Sequence, residues 1–353
     1  MFRLLETGGT VVVVGATDVG KTTFCLAMAN ACLVRGHKCA VVDADLGQSE
    51  IGPPATVGWG LLESPASALS DIECRDLFFV GSTSPAGRLL QTVVAVQRMN
   101  AAAAAADPFV TIVDMPGLAV GPAARSLFEG VASAVGPRFV VTISRGGELA
   151  PLSAPLRGLS EPEILGVRAA PNARVRSREE RTARRRLKFG AYFAEAPVVT
   201  LDCAAAGLAG TSLFSGKPVA MDVRLQLETG LGMEVIHAEE NEEQVLVVGA
   251  GTPAQTAGRM LSGVIGSRVL SVAAPQFFDG ILVGLADDKG RHRGAGIVER
   301  VDLRGRKLLC RTPLRRPGLV RQVLFGGIRV RPDGTEAGRV DPAELYLFSA
   351  ARR

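Results

Sequence analysis

The stretch VVVVGATDVGKTT (11–23) decides how the first half of the chain folds. Val11 to Val14 form an unbroken apolar run, which suits a parallel strand covered on both faces. Gly15-Ala16-Thr17-Asp18-Val19-Gly20-Lys21-Thr22 then fits the spacing GxxxxGK[ST] in full. Thr22 to Val34 reads as the helix that follows, and Gly36 as its stop. In that setting the residues from Gly15 to Thr23 and the helix N-terminus surround the phosphates of a nucleoside triphosphate. Lys21 bridges the outer phosphates and the Thr22 hydroxyl ligates Mg²⁺.

Working outward, Lys38 to Val42 returns to strand and ends in Asp43-Ala44-Asp45-Leu46-Gly47-Gln48. A carboxylate at the carboxyl end of the neighbouring strand stands beside the γ-phosphate, where open α/β sheets place their ligands. It orients Mg²⁺, directly or through water, or accepts a proton from an attacking hydroxyl. Asp45 and, second to it, Asp43 are the candidates; carboxylates two apart on an extended strand end face opposite ways, so only one need be catalytic. Asp43 as the cap of a turn stays open. Further strands are expected at Leu77 to Val80, Phe109 to Val113, Phe139 to Ile143 and Val198 to Leu201. A helix from about Arg88 runs through the alanines 101–106. The fold class is α/β, a P-loop domain with a parallel sheet.

After about Lys217 the texture changes. Val223, Leu225 and Leu227 alternate with polar residues, and short apolar runs at 245–248, 269–272, 281–285, 297–301 and 320–325 are separated by Gly and Asp. That pattern predicts a small all-β domain over 218–353, after a P-loop domain over 1–217, with the boundary near 217–222.

Composition narrows the function classes. With 47% hydrophobic and 5% aromatic residues in 353, the chain reads as a soluble globular protein. Its apolar runs fall short of the roughly 20 residues that cross a bilayer, and Met1 to Thr10 lacks the pattern of a signal peptide, so a cytoplasmic protein without membrane contact is expected. The six cysteines show no CxxC pair and there are three histidines, which disfavours zinc and disulfide scaffolds.

The net charge of +5 is modest, but its distribution is not. Arg174, Arg176, Arg178, Arg181, Arg184, Arg185 and Arg186 are opposed only by Glu179 and Glu180. On a helix Arg181 and Arg185 share a face, which Arg178 extends by a turn. Such a face neutralises charge during phosphoryl transfer or clamps a polyanion; a solvated basic helix is the plainer alternative. Asp114-Met115-Pro116-Gly117 resembles the DxxG switch of G proteins, yet no asparagine precedes a lysine, so a guanine-reading NKxD segment is missing.

GATDVGKTT (15–23), DADLGQSEIGPPATVG (43–58), FVGSTSP (79–85), DMPGLAVG (114–121) and VRSREERTARRRLKFGAYF (175–193) together resemble the Clp1/Grc3/Nol9 family of polynucleotide 5′-hydroxyl kinases. The later FFDGILVGLADDKGRHRGAGIVERVDLRG (277–305) resembles the C-terminal domain of its short prokaryotic members. The resemblance implies ATP and Mg²⁺, a 5′-hydroxyl nucleic acid as acceptor, RNA before DNA, and a lid over about 172–195. It implies catalytic roles for Lys21, Asp45, Arg181 and Arg185, and substrate contacts from Gln48, Arg178 and Arg184. Family members commonly carry a T-x-G-W clasp; here the aligned Met115, Gly117 and Leu118 lack its hydroxyl and indole. Trp59, the single tryptophan, is left as a stacking surface or a core residue. Two other classes stay open: an ATP-binding RNA-processing scaffold that transfers nothing, and a P-loop ATPase or small-molecule kinase.

Overall fold

The computed structural model describes residues 2–340 and 346–349. The chain divides into two compact units, Met1–Tyr192 and Phe193–Arg353.

The first unit is built on a seven-stranded sheet. Its elements are α1 (Phe2–Thr7), β1 (Gly9–Gly15), α2 (Lys21–Val34), β2 (Cys39–Asp43), β3 (Thr56–Leu62), β4 (Asp76–Phe79), α3 (Leu89–Ala104), β5 (Val110–Asp114), α4 (Pro122–Val135), β6 (Phe139–Ser144), α5 (Ala150–Ser153), β7 (Glu163–Arg168) and α6 (Arg178–Phe193). The strand order is β4-β3-β2-β5-β1-β6-β7. The five strands from β2 to β7 are parallel, while β3 and β4 are added antiparallel. The valines of β1 explain the layering. Val11 and Val13 enter a core with Cys25, Met28 and Cys32 of α2, whereas Val12 and Val14 enter one with Val96 of α3 and Leu127 of α4. Successive side chains of a strand point to opposite faces, so a strand covered on both sides must be apolar throughout.

The strand β3 has no counterpart among the expected elements, because TVGWGLL contains two glycines that weaken a strand pattern. The structure shows what they are for. A Cβ on Gly58 would lie 2.1 Å from the Ile51 carbonyl oxygen, and one on Gly60 2.3 Å from that of Glu73. Trp59 between them is 6% exposed, a core residue.

The second unit holds β8 (Val198–Asp202), β9 (Gly207–Ala209), β10 (Lys217–Pro218), α7 (Met221–Leu231), β11 (Glu234–Glu240), β12 (Gln244–Ala250), α8 (Ala257–Met260), α9 (Ser262–Ile265), β13 (Val269–Ala273), β14 (Ile281–Ala286), β15 (His292–Asp302), β16 (Lys307–Arg311), β17 (Gln322–Val330), β18 (Glu336–Arg339) and β19 (Tyr346–Ser349). One sheet runs β10-β11-β12-β13-β19; the other runs β18-β17-β14-β15-β16-β8, with β9 beside β17. Leu246 and Val248 of β12 pack with Val283, Leu285 and Val323 of the other sheet, while α7 to α9 cover the far face of the first.

Two expectations are corrected here. The segment 198–202 does not extend the P-loop sheet: it pairs antiparallel with Lys307–Arg311, and the units part between Tyr192 and Phe193 rather than near 217–222. A strand's partner a hundred residues away leaves no local trace. Val223, Leu225 and Leu227 lie on a helix and not on a strand of the β-rich second unit; Leu227 and Leu231, four apart, are buried while Leu225 is 56% exposed. Among the described residues no helix is long and apolar enough to cross a membrane.

Candidate active site

The P-loop follows the last valine of β1 into α2. Asp18 and Gly20 have φ of 60° and 96°, the left-handed conformations that curl the loop. A Cβ on Gly15 would stand 2.6 Å from the Ile143 carbonyl oxygen and 2.7 Å from a Val19 methyl. Lys21, 6% exposed, folds back so that Nζ donates to the Ala16 carbonyl at 2.9 Å.

The strand beside β1 is β5, not β2, which lies one place further out. The strand-end carboxylate beside the loop is therefore Asp114, at the end of β5. Thr22 Oγ1 donates to Asp114 Oδ2 at 2.8 Å, and Asp114 Oδ1 is buried without a partner. Burial pushes the Asp114 carboxyl up to about 6, with the Lys21 ammonium and the Thr22 hydroxyl pulling it down.

The two aspartates after β2 part company. Asp43 is 1% exposed and its oxygens are taken up by the loop: Oδ1 accepts from Asp45 N at 3.0 Å, and Oδ2 from Ile51 N at 3.0 Å and from Glu50 N. Burial and the facing carboxylates of Asp114 and Asp45 push it up to about 7. It pins the 44–51 loop, with Oδ2 turned to the Glu50 and Ile51 backbone and Oδ1 to that of Asp45. Asp45 is half-buried, and its Oδ1 accepts from Gly47 N and Gln48 N, both at 3.0 Å. Asp45 Oδ2 makes no hydrogen bond among the described residues. One oxygen orients the group and leaves the other open.

The arginine segment docks on this edge through two acids. Asp18, its side chain 5% exposed, accepts from Arg176 N and Arg176 Nη1 at 2.9 Å each and from Arg181 Nη1 at 3.3 Å. Arg145 Nη2 donates to the Asp18 carbonyl at 2.9 Å. Further along α6, Arg184 and Lys188 grip the two oxygens of Glu50 at 2.9 and 2.8 Å. Gln48 Nε2 reaches the Arg181 carbonyl at 3.2 Å, so it ties loop to lid. Arg185 Nη2 donates to Thr182 Oγ1 at 3.1 Å, and Arg178 is exposed. Arg184 is thus committed to an ion pair, whereas Arg178 faces solvent.

The segment after β5 serves the loop more than a substrate. Met115 is 3% exposed and belongs to the core, which corrects its expected place at a substrate; the residue lies at the end of a strand buried on both faces. Gly117 lies against the P-loop, where a Cβ would stand 2.4 Å from Thr17 Oγ1. Leu118 is half-buried against the same core as Met115. Sequence reasoning gave no role to the side chains of Asp18 and Glu50. The available signal was charge complementarity, since an acid inside the P-loop and another just past Gln48 are natural partners for seven arginines.

Beside the loop a cleft of about 460 Å³ is lined by Gly20, Phe24, Ala27, Val167 and Ala169, with Arg174 among its other lining residues. Asp18, Arg168 and Arg176 line it as well, so apolar and charged groups meet in a cleft on the scale of a pocket for a nucleoside. The residues also fit Mg²⁺: Thr22 and Asp114 present hard oxygens at the loop, and Asp114 Oδ1 lacks a donor. Among the described residues no group of three His, Cys, Asp or Glu could hold a metal by itself. Mg²⁺ at a P-loop needs none, since phosphates and water supply most of its ligands.

The family described as "mRNA cleavage and polyadenylation factor CLP1 P-loop" matches residues 15–195. The chain belongs to the Clp1 family. It is 30% identical over 344 residues to a polyribonucleotide 5′-hydroxyl-kinase of Pyrococcus horikoshii, covering 96% of this chain and 90% of that one. A polyribonucleotide 5′-hydroxyl-kinase of Methanocaldococcus jannaschii is 27% identical, covering 94% and 90%. Among solved structures, a wild-type Clp1p–Pcf11p complex superposes with a TM-score of 0.59 at 11% identity, over 93% of this chain and 76% of that one. At that identity the likeness concerns the fold, and the Clp1-family architecture spans both units.

Proposed function

We propose that the chain is an ATP-dependent polynucleotide 5′-hydroxyl kinase that acts on RNA ends and, less well, on DNA. The observation that carries this reading is one edge of one sheet. Lys21, the Thr22–Asp114 pair, the open oxygen of Asp45 and the Asp18-tethered Arg181 all stand at the carboxyl ends of β1, β5 and β2. Near-full-length likeness to polyribonucleotide 5′-hydroxyl-kinases supports the acceptor.

ATP lies with its phosphates along Gly15 to Thr23 and its base in the Phe24 cleft. Lys21 leaves the Ala16 carbonyl for the β- and γ-phosphates. Thr22 and Asp114 hold Mg²⁺, which when bound neutralises charge on the phosphate oxygens. Asp45 Oδ2 accepts the proton of the 5′-hydroxyl as its oxygen attacks the γ-phosphorus in line. The bond to the β–γ bridging oxygen breaks, and ADP leaves with that electron pair. Arg181 and Arg185 bring guanidinium charge to the transferring group. With the hydroxyl and indole of the clasp absent, base-specific grip is weak, so both polymers are accepted.

The test is transfer from γ-labelled ATP to matched 5′-hydroxyl RNA and DNA strands. Label on RNA, with weaker labelling of DNA, supports the reading. Binding without transfer, release of phosphate alone, or labelling of DNA only overturns it.

A further inference from the structure

We infer that the second unit carries a phosphate-binding pocket of its own, which takes the backbone of an RNA strand. The choice of strand rests on the kinase reading; the pocket itself does not.

The pocket holds about 300 Å³; His237, Arg304 and Arg306 line it with no carboxylate among the lining residues, beside Arg224, whose Nη2 donates to the Val235 carbonyl and whose Nε stands 3.5 Å from Glu228 Oε1. Arg304 and Arg306 come from the turn between β15 and β16, where Arg306 adopts φ of 49°. Arginine rarely takes that conformation, and such strain persists only where the surrounding structure imposes it. The Arg306 guanidinium lies 4.6 Å from the centre of the Phe214 ring and gives one hydrogen bond, at 3.3 Å, to the Phe214 carbonyl. Stacking on a ring fixes its plane and leaves further donors for an anion. Arg304 is exposed and makes no hydrogen bond or ion pair among the described residues.

Behind this cationic face is an unexplained polar pair. Glu239 is 1% exposed, yet neither carboxylate oxygen has a hydrogen-bond partner. His237 Nε2 stands 3.3 Å from Glu239 Oε2 and is itself buried without a partner. A buried carboxylate in that state is costly and calls for an explanation. The β-bulge between Val235 and His237 re-aims the imidazole toward the pocket, edge-on to Phe214 at 5.5 Å. A small rotation lets Nε2–H donate to Glu239, which fixes the ring and leaves Nδ1 as its remaining polar atom. An acceptor nitrogen beside arginines suits a ribose hydroxyl next to a phosphate, a pairing RNA offers and free phosphate does not.

The experiment measures binding of a fluorescent 5′-hydroxyl oligoribonucleotide to the full chain by anisotropy, without ATP, over a range of salt. The variants are Arg304→Glu, Arg306→Asn, which tolerates positive φ, their double, and His237→Gln, with exposed Arg331→Glu as the charge control. The double variant should weaken binding about tenfold and flatten the plot of log Kd against log salt by about 0.7 for each phosphate that is no longer neutralised. Arg331→Glu should shift it by less than about twofold. His237→Gln should weaken RNA more than DNA of the same sequence. Affinity and slope no different from the control overturn the inference. So does the result that millimolar inorganic phosphate moves the His237 imidazole resonances while the oligoribonucleotide leaves them still. Because the readout is binding, a chain that transfers no phosphate would sink the kinase reading and leave this one standing.

Discussion

Asp18→Asn isolates the ion pairs that dock the lid on the P-loop. Asparagine keeps the size and the tolerance for positive φ that this position requires. Its single carbonyl oxygen can still accept the Arg176 backbone N–H, so the change removes charge and one acceptor. It thereby breaks or weakens the bonds from the Arg176 and Arg181 guanidinium groups at 2.9 and 3.3 Å. Those arginine side chains are 35% and 30% exposed, so solvent screens each pair. We assign about 1 kcal/mol to each, about 2 kcal/mol in all, which shifts the docked-to-undocked ratio of the lid's first turn about 30-fold. The rest of α6 stays anchored by Arg184 and Lys188 on Glu50. Amide exchange of residues 178–182 should therefore quicken by up to about 30-fold while that of 186–190 holds. Transfer, read as kcat/KM for the oligonucleotide, should fall by up to the same factor. Unchanged exchange over 178–182 would refute the docking role. Quickened exchange with unchanged kcat/KM would refute the link from docking to catalysis.

Other expectations follow from the same geometry. Asp45→Asn should keep fold and ATP affinity yet lower transfer by at least about 10²-fold, as measured by single-turnover labelling; near-wild-type turnover removes Asp45 from the base role. Lysine at Arg181 or Arg185 keeps charge but loses the planar fork, so kcat at saturating substrates should fall more than KM rises for at least one of them. Unchanged kcat in both alanine variants would show that the arginines only recruit the polymer. In the second unit Asp287 accepts from the backbones of Lys289 and Arg291 and the guanidinium groups of Arg291 and Arg293. Burial works to raise its carboxyl, but these donors outweigh it and hold the group well below the usual range. A depressed folded value means stability that is present above the unfolded pKa and lost as pH falls. Asp287→Asn should thus lower Tm at pH 7, and the difference should close as pH drops below about 4.

By itself the sequence determined the P-loop, the α/β character of the first unit, the arginine lid and the Clp1 resemblance. Each of these is local: a valine run, a glycine spacing or a helical charge pattern fixes backbone geometry and chemistry within about twenty residues. Only the tertiary structure decided which strand lies beside the P-loop. The insertion of β5 between β1 and β2 brings Asp114 to Thr22 and sets Asp45 one strand away, because parallel strands separated by helices carry no local mark of their order. It also decided that Asp43 is spent on the backbone of its own loop, and that Asp18 and Glu50 hold the lid across more than a hundred residues of chain. Strand Val198–Asp202 went to the second unit for the same reason, since its edge is satisfied by Lys307–Arg311. Hydrogen bonds and ion pairs between distant residues depend on where the chain returns, and burial settles that return only when the whole core assembles.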